Sequence, residues 1–89
     1  MRRPYLEVKF RKGRAIAAYL YLPRSTGAKS HRTVEARPGI LVDYDATGVP
    51  IGLELTAPAH TDAASINGVL IGMGLRPVDD AEFAPLRAA

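Results

Sequence analysis

The stretch from Arg37 to Leu55, R-P-G-I-L-V-D-Y-D-A-T-G-V-P-I-G-L-E-L, decides the fold. Ile40, Val42 and Tyr44 alternate with Leu41, Asp43 and Asp45. From Val49 onward, Ile51, Leu53 and Leu55 fall on the other side of the chain from Gly52 and Glu54. This two-residue period belongs to strands with one apolar face. Asp45-Ala46-Thr47-Gly48 between them reads as a turn, Asp accepting backbone hydrogen bonds and Gly taking the left-handed position. Gly52, inside a strand, marks a bulge or a close backbone approach.

The same period extends toward the N-terminus. Leu6, Val8 and Phe10 alternate with Tyr5, Glu7 and Lys9, and Arg11-Lys12-Gly13-Arg14 forms the hairpin turn. In a second strand, Ala15 to Leu22, Ile16, Ala18, Leu20 and Leu22 face the core and Ala17, Tyr19 and Tyr21 face away; Pro23 stops it. Residues Arg24 to Ser30 form an exposed loop. A short third strand, His31 to Ala36, has Val34 as its apolar anchor. After Pro58 the period lengthens to about 3.6, with Thr61 or Asp62 as N-cap, Ile66, Val69, Leu70 and Met73 on one side, and Gly74 as the terminal glycine. Gly68 and Gly72 inside that helix need close packing to justify them. Asp79 or Asp80 caps a last turn, Ala81 to Leu86, whose Phe83 and Leu86 cover a sheet edge. The expected architecture is α+β: an antiparallel meander of five strands (residues 1–57) with one C-terminal helix on a face and a short terminal turn (residues 58–89), all one domain.

Composition narrows the function. With no cysteine and two histidines there is neither a disulfide framework nor a thiolate zinc site. The basic start lacks the apolar block of a secretory signal, and no run approaches the roughly 18 apolar residues of a membrane span, so a cytoplasmic protein without membrane contact is expected. Charge is uneven: residues 1–37 hold ten Lys or Arg against Glu7 and Glu35, whereas residues 38–89 hold Arg76 and Arg87 against seven acids. The balances, +8 and −5, sum to +3. A basic half attracts phosphates or an acidic surface, or is compensated within the domain.

Tyr19-Leu20-Tyr21-Leu22, then Gly39-Ile40-Leu41-Val42-Asp43-Tyr44-Asp45, Gly48, Val49 and Gly52-Leu53-Glu54-Leu55, resemble the small prokaryotic domain family of unknown function DUF2283. Its members pair an L-Y-I-x-L strand with a V-D-Y-D-x-x-G-x-V-x-G-I-E-I hairpin, and the likeness covers residues 5 to 57. The resemblance implies a compact sheet-and-helix domain, often oligomeric, with no assigned activity and no catalytic residues to carry over. Members of the family are often seen beside genes for small toxin-like proteins, so the resemblance also implies a neutralising or scaffolding role in a toxin–antitoxin pair. Where relatives carry an acidic Y-D-x-x-A-D stretch, this chain has Phe10-Arg11-Lys12-Gly13-Arg14-Ala15, its charge reversed. The extension from Thr61 onward exceeds the minimal domain.

Three site chemistries compete. Asp43, Asp45 and Glu54 offer oxygen ligands for a weak Mg²⁺ or Ca²⁺ site, and D-x-D-x-x-G resembles the start of a calcium loop without completing it; cross-strand pairing with Arg32 or Arg37 is the plainer role. Ser25, Ser30 and Ser65 with His31 and His60 lack a nucleophile-elbow setting, so an enzyme is not expected, nor a cofactor. Arg11, Lys12, Arg14, Tyr19, Tyr21, Arg24 and Lys29 form the candidate surface for nucleic acid or a protein partner, with rings to stack bases and cations to hold phosphates. The leading expectation is a non-enzymatic homodimeric interaction module, with an unidentified protein partner possible. Both sheet faces carry apolar or aromatic residues and one helix covers only one of them, so Tyr19, Tyr21, Tyr44, Ile66, Leu70 or Met73 is expected at the dimer contact.

Overall fold

Lys12 and Gly13 both take positive φ, 52° and 77°, the signature of the two-residue type I′ turn that matches strand twist. That turn joins β1 (Tyr5–Arg11) to β2 (Arg14–Tyr21). The structure, a computed structural model, describes residues 3–23 and 27–87. Within them β3 (Arg32–Arg37), β4 (Ile40–Tyr44) and β5 (Pro50–Leu55) complete a five-stranded antiparallel sheet. Its order, β1-β2-β5-β4-β3, refines the expected meander. The link after β2 runs to the far edge, and the chain returns strand by strand until β5 lies beside β2. β5 takes the central place because it is the most apolar of the five, with Ile51, Gly52, Leu53 and Leu55 all buried.

Cross-strand register assigns each residue to a face. Leu6, Leu20, Leu53 and Val42 form one row, and Val8, Ala18, Leu55 and Ile40 the next. These rows are the core face. Over them lies α1 (Ala63–Gly72), burying Ile66, Val69 and Leu70. Asp62 caps α1 by accepting from Ser65 N–H at 2.7 Å. At the other end Gly74 N–H donates to Ile71 O and Leu75 N–H to Leu70 O, a Schellman pair that Gly74 permits with φ 78°. The Asn67 amide then clamps the returning chain, donating to Val78 O at 2.9 Å and accepting from Val78 N–H at 2.8 Å. This clamp was not foreseen from the sequence. A 3₁₀ turn, Asp80–Phe83, and α2 (Ala84–Arg87) close the fold near β1 and add Phe83 and Leu86 to the core.

Several expectations change. Phe10 and Ile16 are 47% and 50% exposed instead of buried, because the β1–β2 register shifts after Lys9 and leaves Ile16 bulged out. Val34 lies on the core face but is 40% exposed, since β3 is an edge strand with every residue exposed. A Cβ on Gly68 would stand 2.6 Å from the Arg37 guanidinium, which donates to Ser65 O; this is the far end of a flexible, exposed side chain that can move aside, so the contact favours glycine only weakly. Nothing in the structure explains Gly72, which faces open space. Ile66 and Leu70 are fully buried, so they serve the core and not a dimer contact. Arg24 and Ser25 lie outside the described residues.

Truncating Leu70 to Ala is expected to cost about 2–5 kcal/mol in urea unfolding, the range for a large-to-small change in a close-packed core. Ile71→Ala, at a position 59% exposed, should stay within about 0.5 kcal/mol. Two carboxyls also tie stability to acid. Thr47, through its hydroxyl first, then Val49 N–H lower the Asp45 pKa; the Ser65 backbone N–H and hydroxyl lower that of Asp62, with Arg37 adding to it. A depressed folded-state pKa contributes stability above the unfolded value that is lost as pH falls through the folded one. Stability should therefore decline below about pH 4. The decline should be shallower in Asp62→Asn and Asp45→Asn, as read by urea midpoints across pH.

Candidate functional site

The sheet's other face is bare of helices, and its register fixes what stands there. One row runs Tyr5, Tyr21, Gly52, Asp43, Thr33; the next runs Glu7, Tyr19, Glu54, Leu41, Glu35; Lys9 and Ala17 follow. Gly52 is the gap that organises these rows. A Cβ on it would overlap the Tyr19 ring and hydroxyl, so the ring lies across β5 in the space that glycine leaves. The hydroxyl thereby reaches β4 and donates to Asp43 Oδ2 at 2.7 Å, while Thr33 Oγ1 on β3 donates to Asp43 Oδ1. One side chain from β2 thus spans three strands.

The other tyrosines continue the surface. Tyr21 meets Tyr19 edge to face with centroids 4.7 Å apart and stacks on Tyr5 at 4.6 Å, both within the range of favourable ring pairs. Its hydroxyl points to Glu7 Oε1 at 3.4 Å. Glu7, Lys9, Ala17, Tyr19, Tyr21 and Glu54 line a shallow cleft of about 230 Å³. Four carboxylates (Glu7, Glu35, Asp43, Glu54) and one ammonium (Lys9) give the rows from Tyr5 to Lys9 a formal charge of −3, on a chain whose net charge is +3; the next row of the same face, at the turn end, is the Arg11–Arg14 pair.

The candidate surface is therefore split. Tyr19 and Tyr21 share the open face, as alternation predicts. Arg11, Lys12 and Arg14 sit together and exposed at the β1–β2 turn, and Lys29 is exposed in the link leaving the opposite end of β2. Arg24 lies outside the described residues. The carboxylates do not converge either: Asp43 is engaged by Tyr19 and Thr33, and Asp45 Oδ1 accepts from Thr47 N–H, Thr47 Oγ1 and Val49 N–H. Glu54 stands a row away from Asp43. Among the described residues no three His, Asp or Glu are grouped to hold a metal ion. Arg32 stacks over Tyr44 at 4.7 Å on the core side and does not pair with the carboxylates, and the Tyr44 hydroxyl contacts Met73 Sδ at 3.8 Å. His31 and His60 are exposed, and the clefts described include none lined by both a serine and a histidine.

Tyr5, Glu7 and Thr33 belong to the site, and sequence reading did not single them out. The two-residue period places Tyr5 and Glu7 beside Tyr19 and Tyr21 once β1 pairs with β2. Thr33 needs the strand order, which periodicity does not supply.

Residues 17–57 match the model of the family DUF2283, described as a protein of unknown function, which bears out the resemblance. The match runs from within β2 to the end of β5 and contains Tyr19, Asp43 and Gly52; the basic turn at Arg11–Arg14 lies outside it. No curated protein and no solved structure matches the chain. No helix among the described residues is long and apolar enough to cross a membrane.

Gly52→Ala should destabilise the protein by about 1–3 kcal/mol, the cost of overpacking, by expelling the Tyr19 ring. In a Tyr19→Ala background the same change should be neutral or stabilising, since alanine narrows the unfolded ensemble. A double-mutant cycle by urea denaturation reads the difference; equal costs in both backgrounds would show that Tyr19 does not depend on that gap.

Proposed function

We propose that the protein is a non-enzymatic interaction module that works as a homodimer through the open tyrosine face. The observation that carries this reading is the single layer of cover: α1 and the terminal turns pack on one face, leaving Tyr5, Tyr19 and Tyr21 on the other. The rings are already fixed by stacking and by the Tyr19–Asp43 bond. A rigid aromatic surface loses little side-chain entropy when covered, which favours association. The β3 edge is the weaker contact, because a register shift after Glu35 and the charges of Arg32, Glu35 and Arg37 are devices that discourage strand addition. The non-enzymatic part of the proposal is supported by the clefts described, none of which is lined by both a serine and a histidine.

Nucleic-acid binding, the other class in play, gains no support from the tyrosines' surroundings. Glu7, Glu35, Asp43 and Glu54 share their face, and like charges repel a phosphate backbone. Such binding would have to use the basic turn without the rings.

A native mass spectrum at micromolar concentration should give twice 9.6 kDa. The dimer should weaken at least tenfold in the double variant Tyr5→Ala, Tyr21→Ala. A monomer throughout that range would overturn the proposal.

A further inference from the structure

We infer that the two copies hold each other by reciprocal docking, the basic β1–β2 turn of each lying on the acidic tyrosine face of the other; this rests on the homodimer reading above. The chain carries both halves of the contact. Arg11, Lys12 and Arg14 crowd three cations onto a four-residue turn, all exposed, and among the described residues they form no salt bridge. The rows of the open face from Tyr5 to Lys9, with a charge of −3 and three tyrosines, are the complementary surface. Guanidinium groups suit it on two counts, pairing with Glu7 and Glu54 and stacking on tyrosine faces.

Arg11 and Arg14 stand at the far end of their own face, beyond the Lys9–Ala17 row. Arg14 and Tyr19 are five residues apart on one strand, about 17 Å at the strand rise, so the turn projects from the end of the sheet that is away from the tyrosine rows. A second copy laid face to face and antiparallel brings its turn over the Glu7–Tyr19–Glu54 row, and the two-fold axis makes the contact happen twice. The axis then passes over the Lys9–Ala17 pair. Ala17 lets the sheets approach there, and Lys9 stands on the outermost strand. Without the offset, the acidic rows of the two copies would meet each other, so charge selects the arrangement that sets the Arg11–Arg14 row of each against the acidic rows of the other. Lys12 agrees with this use of the turn: it holds φ 52° at a position where Asn, Asp or Gly sits without strain.

A charge swap tests the docking. Two variants are made, Arg11→Glu with Arg14→Glu, and Glu7→Lys with Glu54→Lys; each is checked for native circular dichroism and examined by sedimentation velocity against wild type. Each variant alone should dissociate at least tenfold more readily than wild type, because turn and face then repel. Mixed one to one, they should recover a heterodimer, since both contacts are again between opposite charges. Variants that dimerise as tightly as wild type, or a mixture that stays monomeric, overturn the docking while a dimeric wild type keeps the homodimer reading. A monomeric wild type removes both.

Discussion

A sheet of five strands has two faces, and among the described residues there is one helix of useful length to cover them. The bare face must therefore be made orderly in water without a second apolar layer. Tyr19 meets that constraint: its ring lies over the backbone of Gly52, excludes water from the central strand, and ends in a hydrogen bond to Asp43, itself held by Thr33. The arrangement ties β2, β5, β4 and β3 together across the surface, perpendicular to the strands. Burial of Gly52 on a face with no helix follows from this one ring.

The consequence is a face that is rigid, aromatic and anionic while the chain as a whole is cationic. On the opposite face the ordinary arrangement holds, with apolar rows under α1, the Asp62 cap and the Schellman end of the helix, and the Asn67 clamp that returns the chain toward β1. Division of labour between the faces is what the uneven charge of the sequence becomes in three dimensions. The basic half is spread over the hairpin turn and β3, and Glu7, Asp43 and Glu54, far apart in sequence, gather on one surface.

Legibility followed the range of the physics. The Asp45–Gly48 turn, the Asp62 cap, the Gly74 terminus and the burial of Phe83 and Leu86 are set by residues a few positions apart, and all were readable from the sequence. The strand order was not, because nothing local says that β5 pairs with β2 instead of β3. Ile16 and Phe10 were misassigned by a single-residue bulge, which alternation alone does not reveal. Gly52 was recognised as a place of close approach, but its partner, Tyr19, lies 33 positions earlier and becomes visible only with the register. The separation of Tyr19 and Tyr21 from the cations around them is of the same kind.

The account stands on the tyrosine face being the surface that meets a second copy. Hydroxyl-radical footprinting with mass spectrometry, run as a concentration series across the dimer transition, measures this at side-chain level. Tyr5 and Tyr21 should become protected as concentration rises, while Val34 on the β3 edge and Ile71 on the outer side of α1 stay as reactive as before. Unchanged tyrosine reactivity in a sample that has dimerised, with protection appearing at Val34 instead, would place the contact on the sheet edge and contradict the account.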